Sequence, residues 1–166
     1  MRLFIASAAL AVALLASLPA QAEDAPHLSS GQMIYVPAYS QISHGNMDGK
    51  GQPLTVLLST TLSLRNTDPS ETITVTSVKY YDTDGRVVRQ FVTAPVTLEA
   101  MASKDFFVEH RDTTGGNGAN FVVEWTSAKP VNIPLAETIN AYFFGTQSMA
   151  FIGQGRAILP PAKDGR

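Results

Sequence analysis

Between Leu54 and Asn66 the chain alternates apolar and polar residues almost without a break. Leu54, Val56, Leu58, Leu62 and Leu64 share one face, interrupted by Thr60. Thr55, Ser59, Thr61, Ser63 and Arg65 share the other, with Leu57 as the exception. A period of two is that of a strand with one face in a core. Asn66-Thr67-Asp68-Pro69 stops it, because Asn and Asp bond back to nearby backbone and Pro cannot continue a ladder.

The rest of the chain reads as partners for that strand. The β-branched run 71–81 changes phase from Ile73 and Val75 to Val78 and Tyr80, which predicts a β-bulge near Thr76-Ser77. Asp82-Thr83-Asp84-Gly85 predicts a hairpin turn, with 86–92 as the returning strand. Short strands follow at 96–99 and 106–109, then a Gly-rich loop at 113–117. Phe121, Val123 and Trp125 mark one face of a further strand, and Glu124 and Thr126 the other. Residues 134–145 fit a helix face through Leu135, Ile139, Tyr142 and Phe143, and also fit a strand. Strand neighbours and the Tyr-Phe-Phe run favour the strand. Residues 149–159 give a last strand or two. About eight short antiparallel strands with regular turn signals predict an all-β fold, an immunoglobulin-like β-sandwich.

The first 22 residues carry a different message. A basic start (Met1, Arg2), an apolar run from Leu3 to Leu18, and Ala20-Gln21-Ala22 form the three-part pattern of a secretory signal peptide cleaved after Ala22. The apolar run is shorter than the roughly 20 residues needed to span a bilayer, and no cysteine follows it for a lipid anchor. The expected organisation is a signal peptide at 1–22, a flexible leader at 23–31, one sandwich domain at 32–159 and a flexible tail at 160–166. The expected location is the periplasm or the exterior, with no membrane anchor after cleavage. With no cysteine, disulfides, thiolate metal sites and thiol nucleophiles are excluded. Twelve basic against fourteen acidic side chains provide no stripe to neutralise phosphates, so a nucleic-acid partner is not expected.

Three segments line up with a known family. Tyr-Val-Pro-Ala-Tyr-Ser (35–40), Leu-Ser-Thr-Thr-Leu-Ser-Leu-Arg-Asn-Thr-Asp-Pro (58–69) and Gly-Gly-Asn-Gly-Ala-Asn-Phe-Val-Val-Glu-Trp (115–125) together resemble exported bacterial proteins of the domain of unknown function 3124. The resemblance covers roughly Gly31 to Leu159. It implies an extracytoplasmic single domain, and it carries no catalytic or ligand residue.

Several clusters are candidates for chemistry. The loop 110–120 gathers His110, Asp112, Gly115, Gly116 and Asn120, and glycines can turn backbone N–H groups toward an anion. It lacks the Gly-Lys-Ser/Thr ending of a phosphate loop. The same residues also fit a tight connection in which Gly supplies positive φ and Asp112 and Asn120 bond the backbone. His44 and Met47 pair imidazole with thioether, a copper-like set, but two ligands do not make a site. Asp82 and Asp84 resemble a calcium loop, but Thr93 stands where a bidentate Glu is needed. In a strand, Glu137 shares its phase with Leu135 and Ile139, which turns it toward the core and calls for a partner such as Arg156 or Arg65. No Gly-x-Ser-x-Gly elbow is present. No cofactor is implied. The leading expectation is a binding or interaction module for a protein or small-molecule partner in the cell envelope, working through the 40–53 or 110–120 loops. The alternative is an envelope enzyme or small-anion binder centred on the 110–120 loop, with Glu124 or Glu137 as its carboxylate.

Overall fold

The structure, a computed structural model, describes residues 27–159. The signal segment 1–22 and the tail 160–166 lie outside the described residues. Within them, twelve strands and no helix are found. The strands are β1 (Leu28–Pro37), β2 (Gln41–Met47), β3 (Pro53–Leu57), β4 (Ser59–Arg65), β5 (Ile73–Tyr81), β6 (Val87–Val92), β7 (Val96–Leu98), β8 (Ser103–Val108), β9 (Asn120–Asn132), β10 (Leu135–Phe144), β11 (Gln147–Gln154) and β12 (Arg156–Ile158). One sheet runs β12-β1-β9-β5-β6, with β7 on the same edge of β5 as β6. A second runs β11-β10-β4-β8, and β2 and β3 form a hairpin of their own. Every pairing is antiparallel.

The two larger sheets pack face to face, because each strand turns alternate residues inward. Ile34 and Val36 of β1, Val75 and Val78 of β5, and Phe121, Val123 and Trp125 of β9 meet Leu62 and Leu64 of β4 and Phe106 and Val108 of β8 in one core. The expected bulge is present: the β5–β9 register shifts between Val75 and Ser77, and Thr76 Oγ1 donates to Glu124 O (3.1 Å). The turn after Tyr81 also forms as read. Asp82 accepts the N–H groups of Asp84 (3.0 Å) and Arg86 (2.8 Å), and Gly85 takes φ 79°. Those bonds occupy Asp82 as a turn residue.

Four expectations are corrected. The fold has twelve strands where about eight were expected. The run 54–66 is not one strand: it breaks at Leu58, whose N–H donates to Ser40 O (2.9 Å), so that β3 leaves the sandwich and β4 stays in it. Leu58 is buried there, while Leu54 is exposed. β1 begins at Leu28, inside the stretch read as a leader. Residues 135–144 are a strand, but with the opposite phase: Ala136, Thr138 and Asn140 face the core, and Leu135 and Ile139 face out.

One end of the sandwich is closed by the Asn66-Thr67-Asp68-Pro69 segment. Asn66 Nδ2 donates to the carbonyls of Glu71 (2.8 Å) and Glu99 (2.9 Å), and Asn66 Oδ1 accepts Asp68 N–H (3.0 Å). Asp68 accepts N–H groups of Ser70, Glu71 and Asn132. These donors favour the carboxylate and hold the Asp68 carboxyl below its ordinary range. The segment ties β4, β5, β7 and β9 together where β5 begins and the other three end.

Candidate functional site

The three segments that carry the family resemblance meet in space. The first, 35–40, leaves β1 and crosses from one sheet to the other. Along it, Ala38 N–H donates to Ala119 O (2.9 Å), and Ser40 N–H to Gly116 O (3.2 Å). Tyr39 N–H donates to Asn140 Oδ1 (3.1 Å). Asn140 pairs across the sheet with Thr60, the start of the second segment. The Thr60 hydroxyl lies 3.0 Å from both Tyr39 O and Asn140 Oδ1 and shares its one proton between them. Asn140 Nδ2 donates to Thr138 Oγ1 (3.1 Å), which itself donates to Pro37 O (2.6 Å). Thr60, Thr138 and Asn140 are fully buried. A buried polar group is costly unless bonded, and here the groups satisfy one another and the strand-crossing backbone.

The third segment holds the Gly-rich loop. Gly115 O accepts the N–H (3.0 Å) and hydroxyl (3.0 Å) of Thr83 in the β5–β6 turn. A Cβ on Gly115 would collide with the Tyr80 hydroxyl and with Ala119 Cβ. Gly116 takes φ 71°, the left-handed region that favours glycine. Asn117 Nδ2 reaches Ser43 Oγ on β2 (2.9 Å). Asp112 accepts Arg89 Nη2 (2.7 Å) and Thr114 N–H (3.1 Å). The carbonyls of Gly115 and Gly116 and the carboxylate of Asp112 are engaged within the protein, and the loop buttresses the root of the β2–β3 hairpin. Burial, with the charge of Asp112 adding to it, pushes the Tyr80 phenol above its ordinary value, while Ser40 and Arg89 pull the other way. The Ser40 hydroxyl gives its proton to Gly116 O (3.2 Å), and the Tyr80 hydroxyl has no partner within hydrogen-bond geometry.

The remaining candidates scatter. His110 is exposed beside this loop, and Asn120 opens β9 opposite Pro37 and Tyr81. Glu124 faces outward on β9, opposite Met33 and Ser77. It lines a shallow groove of about 290 Å³ with Gly31, Gln32 and Thr76. Glu137 also faces outward, on the other sheet, half-buried 3.9 Å from Arg65. The expected partner is there, but the expected orientation toward the core is wrong. The inward side of β10 is taken by the Thr138–Asn140 network, and that fixes the phase. Arg156 sits on β12 over the Tyr35 ring (5.9 Å). These groups form no shared cleft with His110 and Asp112, so no acid–base pair is assembled from them. Among the described residues, no three His, Asp or Glu side chains come together to hold a metal ion. His44 and Met47 remain a pair on one exposed strand.

A different cleft occupies the buttressed end. The β10–β11 hairpin continues beyond Ala141, the last β10 residue paired with β4, through Tyr142, Phe143 and Phe144 to a turn at Gly145 (φ 58°). The β2–β3 hairpin faces it. Between them lies an open cleft of about 480 Å³, lined by Ile42, His44, Thr55 and Val56 on one wall and Tyr142, Gln147, Ser148 and Met149 on the other. No Asp, Glu, Lys or Arg lines it. Tyr39 packs edge-on against Phe151 (5.4 Å) and joins the β1–β2 crossover to β11. On the same two hairpins, Phe143 and Phe144 are 75% and 73% exposed and Met47 is 69% exposed. Exposed aromatic and Met side chains gathered at one end are what an interaction surface offers. The 40–53 segment, expected as a loop, is therefore one wall of the cleft. The other wall went unread because Tyr-Phe-Phe signals a strand without saying which face is open. The available signal was that apolar residues occupy both faces of the strand just before a Gly turn.

A family model described as Protein of unknown function (DUF3124) matches residues 31–158. No curated protein matches the chain. Among solved structures, the crystal structure of Thermotoga maritima 1070 is 14% identical, covers 74% of this chain and 91% of that one, and has a TM-score of 0.39. That likeness is too slight to carry an argument.

Proposed function

The chain belongs to the DUF3124 family of unknown function, and we propose that it is an exported binding module that holds a partner protein in the cleft between its two hairpins. The observation that carries this reading is the cleft itself. Its volume of about 480 Å³ suits an inserted side chain or short segment, and its walls carry no Asp, Glu, Lys or Arg. The chemistry it fits is an apolar segment of a partner. Tyr142 and Met149 supply large adaptable contact area, and Thr55, Gln147 and Ser148 supply hydrogen bonds at the rim. The signal-like segment 1–22 supports an address in the periplasm or beyond, where such a partner would be an envelope protein.

An apolar dye can stand in for the partner in a test. The purified protein is titrated with anilinonaphthalene sulfonate, and its methyl groups are followed by NMR. Shifts are expected at Ile42, Val56 and Met149, and not at Val87 on the exposed strand β6. Unmoved cleft methyls at saturating dye would overturn the reading.

A further inference from the structure

The outer face of the first sheet carries a row of side chains that the cleft does not use. Glu124 faces outward on β9, and residues paired across strands share a face. Register therefore sets Ile158 of β12, Met33 of β1, Glu124 of β9 and Ser77 of β5 side by side. The ladder is interrupted on both sides of β9 at this place. The β1–β9 register breaks between Ser29 and Gly31, and the β5–β9 register between Val75 and Ser77. Interruptions of this kind re-aim side chains, and Met33, Thr76, Glu124 and Thr126 line the groove of about 290 Å³. The Glu124 carboxylate is half-buried and makes no ion pair among the described residues. The Thr76 hydroxyl gives its one proton to Glu124 O (3.1 Å), so only its lone pairs remain. Ser77 is 8% exposed, and its hydroxyl has no partner.

We propose that this groove binds an alkylammonium group, with its charge on Glu124 and its stem across Met33 toward Ile158. A carboxylate beside hydroxyl oxygens calls for a positively charged donor, and charge-assisted hydrogen bonds are the strong ones. An ammonium is a compact charge whose donors can reach one carboxylate and its neighbouring oxygens together. The stem has its own surface. Met33 and Ile158 are half-buried and continue the row away from Glu124. Neighbouring strands lie about 4.8 Å apart, so a butyl-length stem anchored at Glu124 crosses Met33. Other ions fit less well. A divalent cation takes several oxygen ligands, and no three His, Asp or Glu side chains gather among the described residues. An anion would be repelled by Glu124. Lys79 stands one row away on β5, opposite Val122, and forms no ion pair with Glu124. The ammonium can come from a free amine or from a lysine side chain of another protein.

NMR of the purified protein, labelled at its methionine methyls, tests this. Met33 reports on the groove and Met149 on the cleft. n-Butylammonium is expected to shift Met33 saturably, with a Kd on the order of 1 mM, and to leave Met149 in place. n-Butanol has the same stem without the charge and should bind about 10-fold more weakly. Glu124→Gln keeps the shape and removes the charge, so it should weaken the amine by about 10-fold at an unchanged melting temperature. A blocked Gly-Lys-Gly tripeptide separates the two sources. Tighter binding than n-butylammonium assigns a protein lysine, and equal or weaker binding assigns a free amine. A Met33 shift that is absent, or that grows without saturating up to about 100 mM amine, would overturn the proposal. So would n-butanol binding as tightly as the amine, a comparison made on the wild type alone. Glu124→Gln binding the amine like the wild type would overturn it as well. None of these results depends on what occupies the cleft.

Discussion

Asn140→Ala is expected to destabilise the fold by about 3 kcal/mol and to lower its melting temperature by roughly 10 °C. The Asn140 side chain is the only acceptor for Tyr39 N–H, and it joins Thr60 of β4 to Thr138 of its own strand. Removing it leaves that part-buried N–H group without its acceptor, at a cost of about 1–3 kcal/mol. It also takes a donor from Thr138 Oγ1 and leaves a gap in a packed interior. Thr60 is less affected, because its hydroxyl can still donate to Tyr39 O. Denaturant unfolding of both proteins measures the difference. A loss under about 1 kcal/mol would mean that the network does not hold the crossover. The crossover also positions the β2–β3 wall, so the same variant should loosen the cleft.

Gly115→Ala is expected to cost about 3 kcal/mol for a different reason. The added methyl would occupy the place of the Tyr80 hydroxyl and press on Ala119. Tyr80 cannot swing aside, since it is fully buried and packs against Phe121 with ring centroids 4.9 Å apart. The Tyr80 hydroxyl is an unpartnered buried group, so Tyr80→Phe alone should change stability by under about 1 kcal/mol. In that background Gly115→Ala should cost about 1–2 kcal/mol less, because the oxygen it strikes is gone. A double-mutant cycle by thermal unfolding measures the coupling. Strict additivity would show that the loop does not rest on the Tyr80 hydroxyl.

Much of this architecture was legible from the residues. Phe121, Val123 and Trp125 read correctly because a strand buried on one face shows its period directly. The Thr76-Ser77 bulge read correctly because the phase of Ile73 and Val75 cannot reach Val78 without it. Two of the errors share one cause: single hydrogen bonds and polar networks leave no hydropathy signal. Ser40 O captures Leu58 N–H and divides the run 54–66 into two strands that serve different sheets. Thr138 and Asn140 look like outward residues, yet they are buried together, so Glu137 and its apolar neighbours face solvent. The Gly-rich loop was legible as either an anion cradle or a tight connection. The structure shows the connection, with Gly115 O, Gly116 O and Asp112 engaged within the protein. The cleft was half legible. Its 40–53 wall stood out as polar and Gly-rich, while Tyr142 and Phe144, stacked with centroids 6.4 Å apart, entered only as part of a run that favours a strand.

One end of the sandwich thus carries two parts, a Gly-rich loop engaged within the protein and the hairpin cleft proposed as the binding site. Site-specific photo-crosslinking in the cell tests that division most directly. A photoreactive residue is placed at Gln147, in the cleft, and in a second strain at Arg111, on the exposed loop. A discrete adduct with another envelope protein is expected from position 147 and none from position 111. An adduct from position 111 with none from position 147 would contradict the division.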